Sequence, residues 1–127
     1  CAAVADFTPC ITADKKIKKQ PGQDGMVVEL KTTTDIAATL GASKQAHQRL
    51  VGFALETHDE QANALRKLQS KNLDMIVLNS LQDQGAGFGV DTNKVTLLFA
   101  DGTKKDLPLL LKQEVADVIV ESILQLI

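Results

Sequence analysis

Four ammonium groups stand within five positions at Lys15-Lys16-Ile17-Lys18-Lys19, in a chain whose 14 Lys+Arg against 16 Asp+Glu leave it at net −2. A cationic loop of this kind can fold over a polyphosphate and neutralise it. Composition alone favours a solvated charge run; the position of the run just after a strand end favours a closing flap. Lys67 and Lys71 fall four residues apart on one helical face, where like charges need an anion or a nearby carboxylate to offset them, and plain surface charge is the alternative. Thr34-Asp35-Ile36-Ala37 runs from a strand into a helix start, whose free N–H groups suit an anion. A simple N-cap at Thr34 is the alternative there.

Other signals fail. Gly85-Ala-Gly-Phe-Gly89 is not the dinucleotide fingerprint, because the third glycine is misplaced and a strand follows. His47 and His58 have no cysteine or carboxylate at ligand spacing, which argues against a transition-metal site. Cys1 and Cys10 form neither a CxxC pair nor a disulfide framework, and no nucleophile elbow is present.

The elements that must position these groups follow from periodicity. Cys1–Ala5 reads as a buried strand with no lead-in, so sequence is expected upstream of Cys1. Asp6–Gly25 reads as a long loop, Met26–Lys31 as a strand, and Asp35–Leu40 as a helix. Leu50–Leu55 is the next strand. An amphipathic helix over Asp59–Lys71 carries Ala62, Leu65 and Leu68 on one face, and Leu73–Asn79 is a buried strand. Ser80–Thr92 is a loop. Lys94–Ala100 and Lys105–Leu111 flank Asp101-Gly102 as a hairpin, and Lys112–Ile127 is a helix with Val115, Ile119, Ile123 and Leu126 on its core stripe. The result is one α/β domain over residues 1–127, Rossmann-like, with a largely parallel sheet, helices on its faces and a C-terminal antiparallel hairpin. Ligands in such sheets bind at the carboxyl ends of strands, which singles out Asp6, Thr34–Ala37, Glu56-Thr57 and Asn79.

Composition narrows the function. The 127 residues are 44% hydrophobic and 24% charged, enough for one real core. The net charge gives no reason to expect a duplex or a membrane surface as partner, and four Phe with no Trp or Tyr give no platform for stacked bases. No apolar run is long enough to span a bilayer and no signal peptide is visible, so a reducing, cytoplasmic setting is expected.

Taken in order, Ala2-Ala-Val-Ala-Asp6, Lys16-Ile-Lys-Lys19, Val51-Gly-Phe-Ala-Leu-Glu-Thr57, Lys67 through Lys71-Asn72-Leu-Asp74, Gly87-Phe-Gly-Val-Asp-Thr-Asn93 and Lys112-Gln-Glu-Val-Ala116 form a specific set. In these the chain resembles the second half of bacterial phosphopantothenoylcysteine synthetase, which is often fused to a flavin-dependent decarboxylase. The resemblance covers nearly the whole chain. It implies ligation of 4′-phosphopantothenate to L-cysteine with CTP, through an acyl-cytidylate, in coenzyme A biosynthesis. It implies that Lys16 is the catalytic loop lysine, and that Ala2, Ala3, Asp6, Thr34, Asp35, Ile36, Ala37, Phe53, Lys67 and Lys71 join it around the nucleotide. Asp6 would also serve magnesium, the cofactor expected with CTP, and no flavin is expected in this part. A homodimer and a decarboxylase domain upstream are implied partners. The family's glycine-rich nucleotide loop lies in a first half not contained in this chain, so half a site is carried here and the fragment alone is expected to be inactive. Pro is usual in the family where Thr34 stands, and Asn-Asp where this chain has Asn79-Ser80. The alternative function is a non-catalytic nucleotide- or polyanion-binding and dimerisation module; an inert α/β scaffold with solvated lysines is a third.

Overall fold

The structure, a computed structural model, describes residues 4–80 and 89–127. The chain divides into two compact units, Cys1–Asp35 and Ile36–Ile127.

In the first unit, β1 (Phe7–Pro9) pairs antiparallel with β2 (Leu30–Thr32), Phe7 opposite Thr32 and Pro9 opposite Leu30. Backbone bonds from Cys10 N–H to the Glu29 carbonyl and from Thr33 N–H to the Asp6 carbonyl, both 2.9 Å, extend the pair. Proline is tolerated because a two-stranded ribbon leaves each strand an open edge. The connection turns at Gln20-Pro21-Gly22-Gln23, where Gln23 N–H reaches the Gln20 carbonyl at 3.1 Å and Gly22 takes φ +76°. That is the type II pattern of Pro then Gly. Three expectations are corrected here. The long loop contains β1. The strand expected over Met26–Lys31 shrinks to Leu30–Thr32, with Val27 92% exposed. Val4 and Ala5 lie outside any strand, and the rest of the expected Cys1–Ala5 strand lies outside the described residues. Apolar sequence becomes strand only where a partner strand satisfies its backbone.

In the second unit the most apolar run, Met75–Leu78, lies in β4 (Met75–Ser80). Parallel β3 (Val51–Glu56) lies on one side of β4; antiparallel β6 (Val95–Phe99) lies on the other, followed by antiparallel β7 (Lys104–Asp106). The register sets Val51 opposite Met75 and Glu56 opposite Ser80. Alternation along β4 sends Ile76 and Leu78 into a core with Ala54, Ala64, Leu68, Leu73 and Leu98, while Met75 and Val77 join Val95, Leu97, Leu107 and Val115. Both faces are covered, so β4 needs no polar alternation. The first core packs under α2 (Glu60–Ser70) and the second under α3 (Lys112–Leu124), with Ile119, Ile123 and Leu126 packed against it as the stripe requires. The β3-α2-β4 crossover is the Rossmann-like part of this α/β fold; among the described residues β3 with β4 is the parallel pairing and β4–β6 and β6–β7 are antiparallel, so the sheet is mixed where a largely parallel one was expected. A helix, α1 (Ile36–Ser43), opens the unit, so Asp35, and not Thr34, immediately precedes it.

Two details differ from the periodicity. The buried face of α2 is Ala64 and Leu68 with Leu65 partly covered, and Ala62 is exposed. The hairpin's second arm ends at Asp106; Leu107 then enters the core, while Leu110–Leu111 form β8, paired with β5 (Thr92–Asn93). Pro108 has no N–H to continue the ladder.

Candidate functional site

The alternation that buries Ala54 also turns Glu56, at the carboxyl end of β3, toward α2. There Glu56 Oε1 lies 2.6 Å from Lys67 Nζ, with the glutamate side chain 11% exposed and the lysine 42%. Asn63 Nδ2 donates to Glu56 Oε2 at 3.4 Å and to the His58 carbonyl at 3.0 Å, and Arg66 donates to Asn63 Oδ1 at 3.0 Å. This carboxylate offsets the like-charge cost of the lysine pair. Lys67 is thereby a half-exposed cation held in place beside the end of the parallel strand pair, the position from which an ammonium can meet a phosphate.

Lys71 closes α2. Its N–H reaches the Lys67 carbonyl at 3.1 Å, Asn72 N–H the Gln69 carbonyl at 3.2 Å, and Leu73 N–H the Leu68 carbonyl at 2.9 Å. These bonds, with Asn72 at φ +50°, form a Schellman motif in which Asn replaces the usual Gly. The Asn72 amide donates to the Gly41 carbonyl at 2.9 Å, and a Cβ on Gly41 would stand 1.8 Å from the Lys71 carbonyl oxygen. Gly41 thus lets α1 approach the end of α2, which brings the helix that begins Ile36-Ala37 beside Lys71. Behind them Asp74 accepts from Leu50 N–H at 2.7 Å and from Lys44 Nζ at 2.9 Å. Burial works against its ionised form, but the Leu50 N–H and the Lys44 ammonium outweigh it and hold the carboxyl below its ordinary value. That pair ties α1 to the start of β3 and is structural.

Phe53 is 74% exposed. Alternation sets it on the face of β3 opposite Glu56, so the structure does not bring it together with Lys67. It borders a cavity of about 250 Å³ shared with Leu55, Val77, Asn79, Asn93 and Val115. In the first unit Asp6, Lys16, Thr34 and Asp35 are exposed. Beside Lys16 the loop forms an open depression of about 360 Å³ bordered by Ile17, Lys18, Lys19, Gln23, Asp24 and Met26; Lys16 is not part of its lining. Ala2 and Ala3, and most of the glycine-rich loop at Gly85–Gly89, lie outside the described residues. Among the described residues no group of three His, Cys, Asp or Glu is placed to hold a metal ion. Sequence reasoning flagged Glu56 as a strand-end residue but missed its ion pair with Lys67, which spans 11 residues and no helical spacing.

Among known proteins, the sequence model of the DNA/pantothenate metabolism flavoprotein C-terminal domain matches residues 1–127. A "Cysteine/Cysteine sulfinic acid decarboxylase" from an unknown prokaryotic organism is 56% identical over 126 residues, 99% of this chain and 34% of that protein. The "Coenzyme A biosynthesis bifunctional protein CoaBC" of Bacillus subtilis (strain 168) is 52% identical over 122 residues, 96% of this chain and 29% of that protein. The chain therefore spans about a third of the length of these relatives. The crystal structure of the C-terminal domain of a coenzyme A biosynthesis bifunctional protein CoaBC superposes with a TM-score of 0.65 at 47% identity, over 76% of this chain and 46% of that one.

Proposed function

The chain belongs to the DNA/pantothenate metabolism flavoprotein C-terminal domain family, and from that premise we propose that it serves coenzyme A biosynthesis as part of a CTP-dependent phosphopantothenate–cysteine ligase. The observation that carries the proposal is Lys67, held by Glu56 at the carboxyl end of the β3–β4 pair, in a chain 52% identical to a protein named for this pathway. In the first step a carboxylate oxygen of 4′-phosphopantothenate attacks the α-phosphorus of CTP and pyrophosphate leaves. In the second the amine of L-cysteine attacks the acyl carbonyl and CMP leaves, the amine losing a proton. Both steps develop negative charge on phosphoryl oxygens, so fixed cations lower the barrier more than a protein nucleophile would.

Lys67 and Lys71 suit the triphosphate, and Lys16, in the exposed loop between β1 and β2, suits the charged intermediate. Magnesium fits this donor set only as an ion carried by the nucleotide. Asp6 offers a single carboxylate, and such an ion takes one or two carboxylates with phosphate and water for the rest. A cytoplasmic homodimer is part of the proposal; Leu109 and Leu111, 48% and 51% exposed, are apolar surface that association would cover.

A second reading of the same lysines is a nucleotide- or polyanion-binding and dimerisation module without turnover; the relative at 56% identity is named for a decarboxylase and not for a ligase. One assay separates them. The full-length protein is incubated with CTP and magnesium. Pyrophosphate release that requires 4′-phosphopantothenate, with CMP release that requires L-cysteine, establishes the ligase. Stabilisation by CTP without either product establishes the module.

A further inference from the structure

Along β4, Val77 faces the α3 core, and two residues on Asn79 follows on the same face, where the strand reaches its carboxyl end. Asn79 Oδ1 is buried and has no hydrogen-bond partner among the described residues. Such an atom carries its full desolvation cost in the free protein, and a fold has no stability reason to keep it. It borders the cavity of about 250 Å³ whose walls are Phe53, Leu55, Val77, Val95, Val115 and Asn93. None of these side chains is charged. Asn93 Oδ1 already accepts from Lys94 N–H at 2.9 Å, so its amide nitrogen is the group it can offer.

We propose that this cavity is the subsite for a neutral, N–H-bearing part of the substrate, whose N–H is accepted by the Asn79 carboxamide against the Phe53 and Leu55 wall. Uncharged walls offer the phosphates and the zwitterion of cysteine no counter-charge, so they favour a neutral group. The volume lies just below the range of ligand pockets and suits one ring or a short chain, not a whole nucleotide. This assignment rests on the ligase reading, in which two neutral groups carry an N–H: the aminopyrimidine of CTP and the amide of 4′-phosphopantothenate. The shared chemistry is an N–H donor on a largely apolar body.

The test uses the full-length protein as wild type, Asn79→Leu and Asn79→Ser, with the serine variant covering the case in which leucine does not fit. Melting temperature is read without ligands, and KM is read separately for CTP and for 4′-phosphopantothenate. The expected result is a melting temperature unchanged or raised, together with a KM increased on the order of tenfold to a hundredfold for one substrate. An increase for CTP assigns the cavity to the base, and one for 4′-phosphopantothenate assigns it to the amide. A lowered melting temperature with both KM values unchanged shows that Asn79 is satisfied within the protein and overturns the subsite, as do unchanged KM values alone. Wild-type protein without CTP-dependent turnover removes the ligase reading, and the subsite with it.

Discussion

Replacing Glu56 by Gln tests whether its carboxylate holds Lys67 ready for phosphate. The pair is close, 2.6 Å, with one side chain nearly buried and the other half in water. Exposed ion pairs contribute about 0–1 kcal/mol and hydrogen bonds to charged groups about 1.5–3 kcal/mol. Glutamine keeps an acceptor at the same place, so the fold should lose ~1 kcal/mol, read as a shift in the urea midpoint. Nucleotide binding separates the partners. Lys67→Ala would remove the proposed cation–phosphate contact and should weaken CTP binding about tenfold, or ~1.4 kcal/mol. Glu56→Gln leaves the ammonium in place but frees its rotamers; re-ordering one long side chain costs about 0.5–1.5 kcal/mol, so a loss of about threefold is expected. Because Glu56 acts through Lys67, adding Glu56→Gln to Lys67→Ala should change affinity by less than about 0.3 kcal/mol. Calorimetric titration of CTP into the four full-length proteins gives all the terms. Additive losses in the double variant, or wild-type affinity in Glu56→Gln, refute the reasoning.

Asp74 supplies a pH dependence. Its folded pKa is depressed, so its contribution is present above the ordinary carboxylate value and is lost as pH falls through the folded one. Asn at this position should lower stability at neutral pH by about 2 kcal/mol and flatten the acid limb of a urea-midpoint profile from pH 7 to pH 3. Gly41→Ala places a methyl against the Lys71 carbonyl and should displace α1; a loss under about 1 kcal/mol in thermal unfolding would show that α1 yields freely. Leu107 is 6% exposed and Leu109 48%, so Leu107→Glu should unfold the unit while Leu109→Glu leaves it folded and, if this surface joins two copies, shifts sedimentation from dimer to monomer. Lys16→Ala should lower turnover far more than CTP affinity, as a group that closes over the intermediate requires; equal losses in rate and affinity would make Lys16 an ordinary binding contact.

Local pattern determined much of this protein. The apolar run of β4, the Val115, Ile119 and Ile123 stripe of α3 and the Asp101-Gly102 turn are each readable within a few residues, because burial and backbone geometry there repeat with the period of the element. The ordered motifs also disclosed the family and which residues to inspect. Tertiary structure decided what depended on distant partners. β1 and β2 exist because residues more than twenty positions apart pair, and β5 and β8 because Leu110 returns to Asn93. Ala64 rather than Ala62 is buried because of where α2 settles on the sheet. Glu56 meets Lys67 because a strand's alternation and a helix's pitch bring both to one edge, and the same alternation sets Phe53 on the opposite face. The Asn79 oxygen, without a partner among the described residues, belongs to the same class: whether a polar atom is satisfied depends on all its neighbours in space, and no spacing along the chain encodes it.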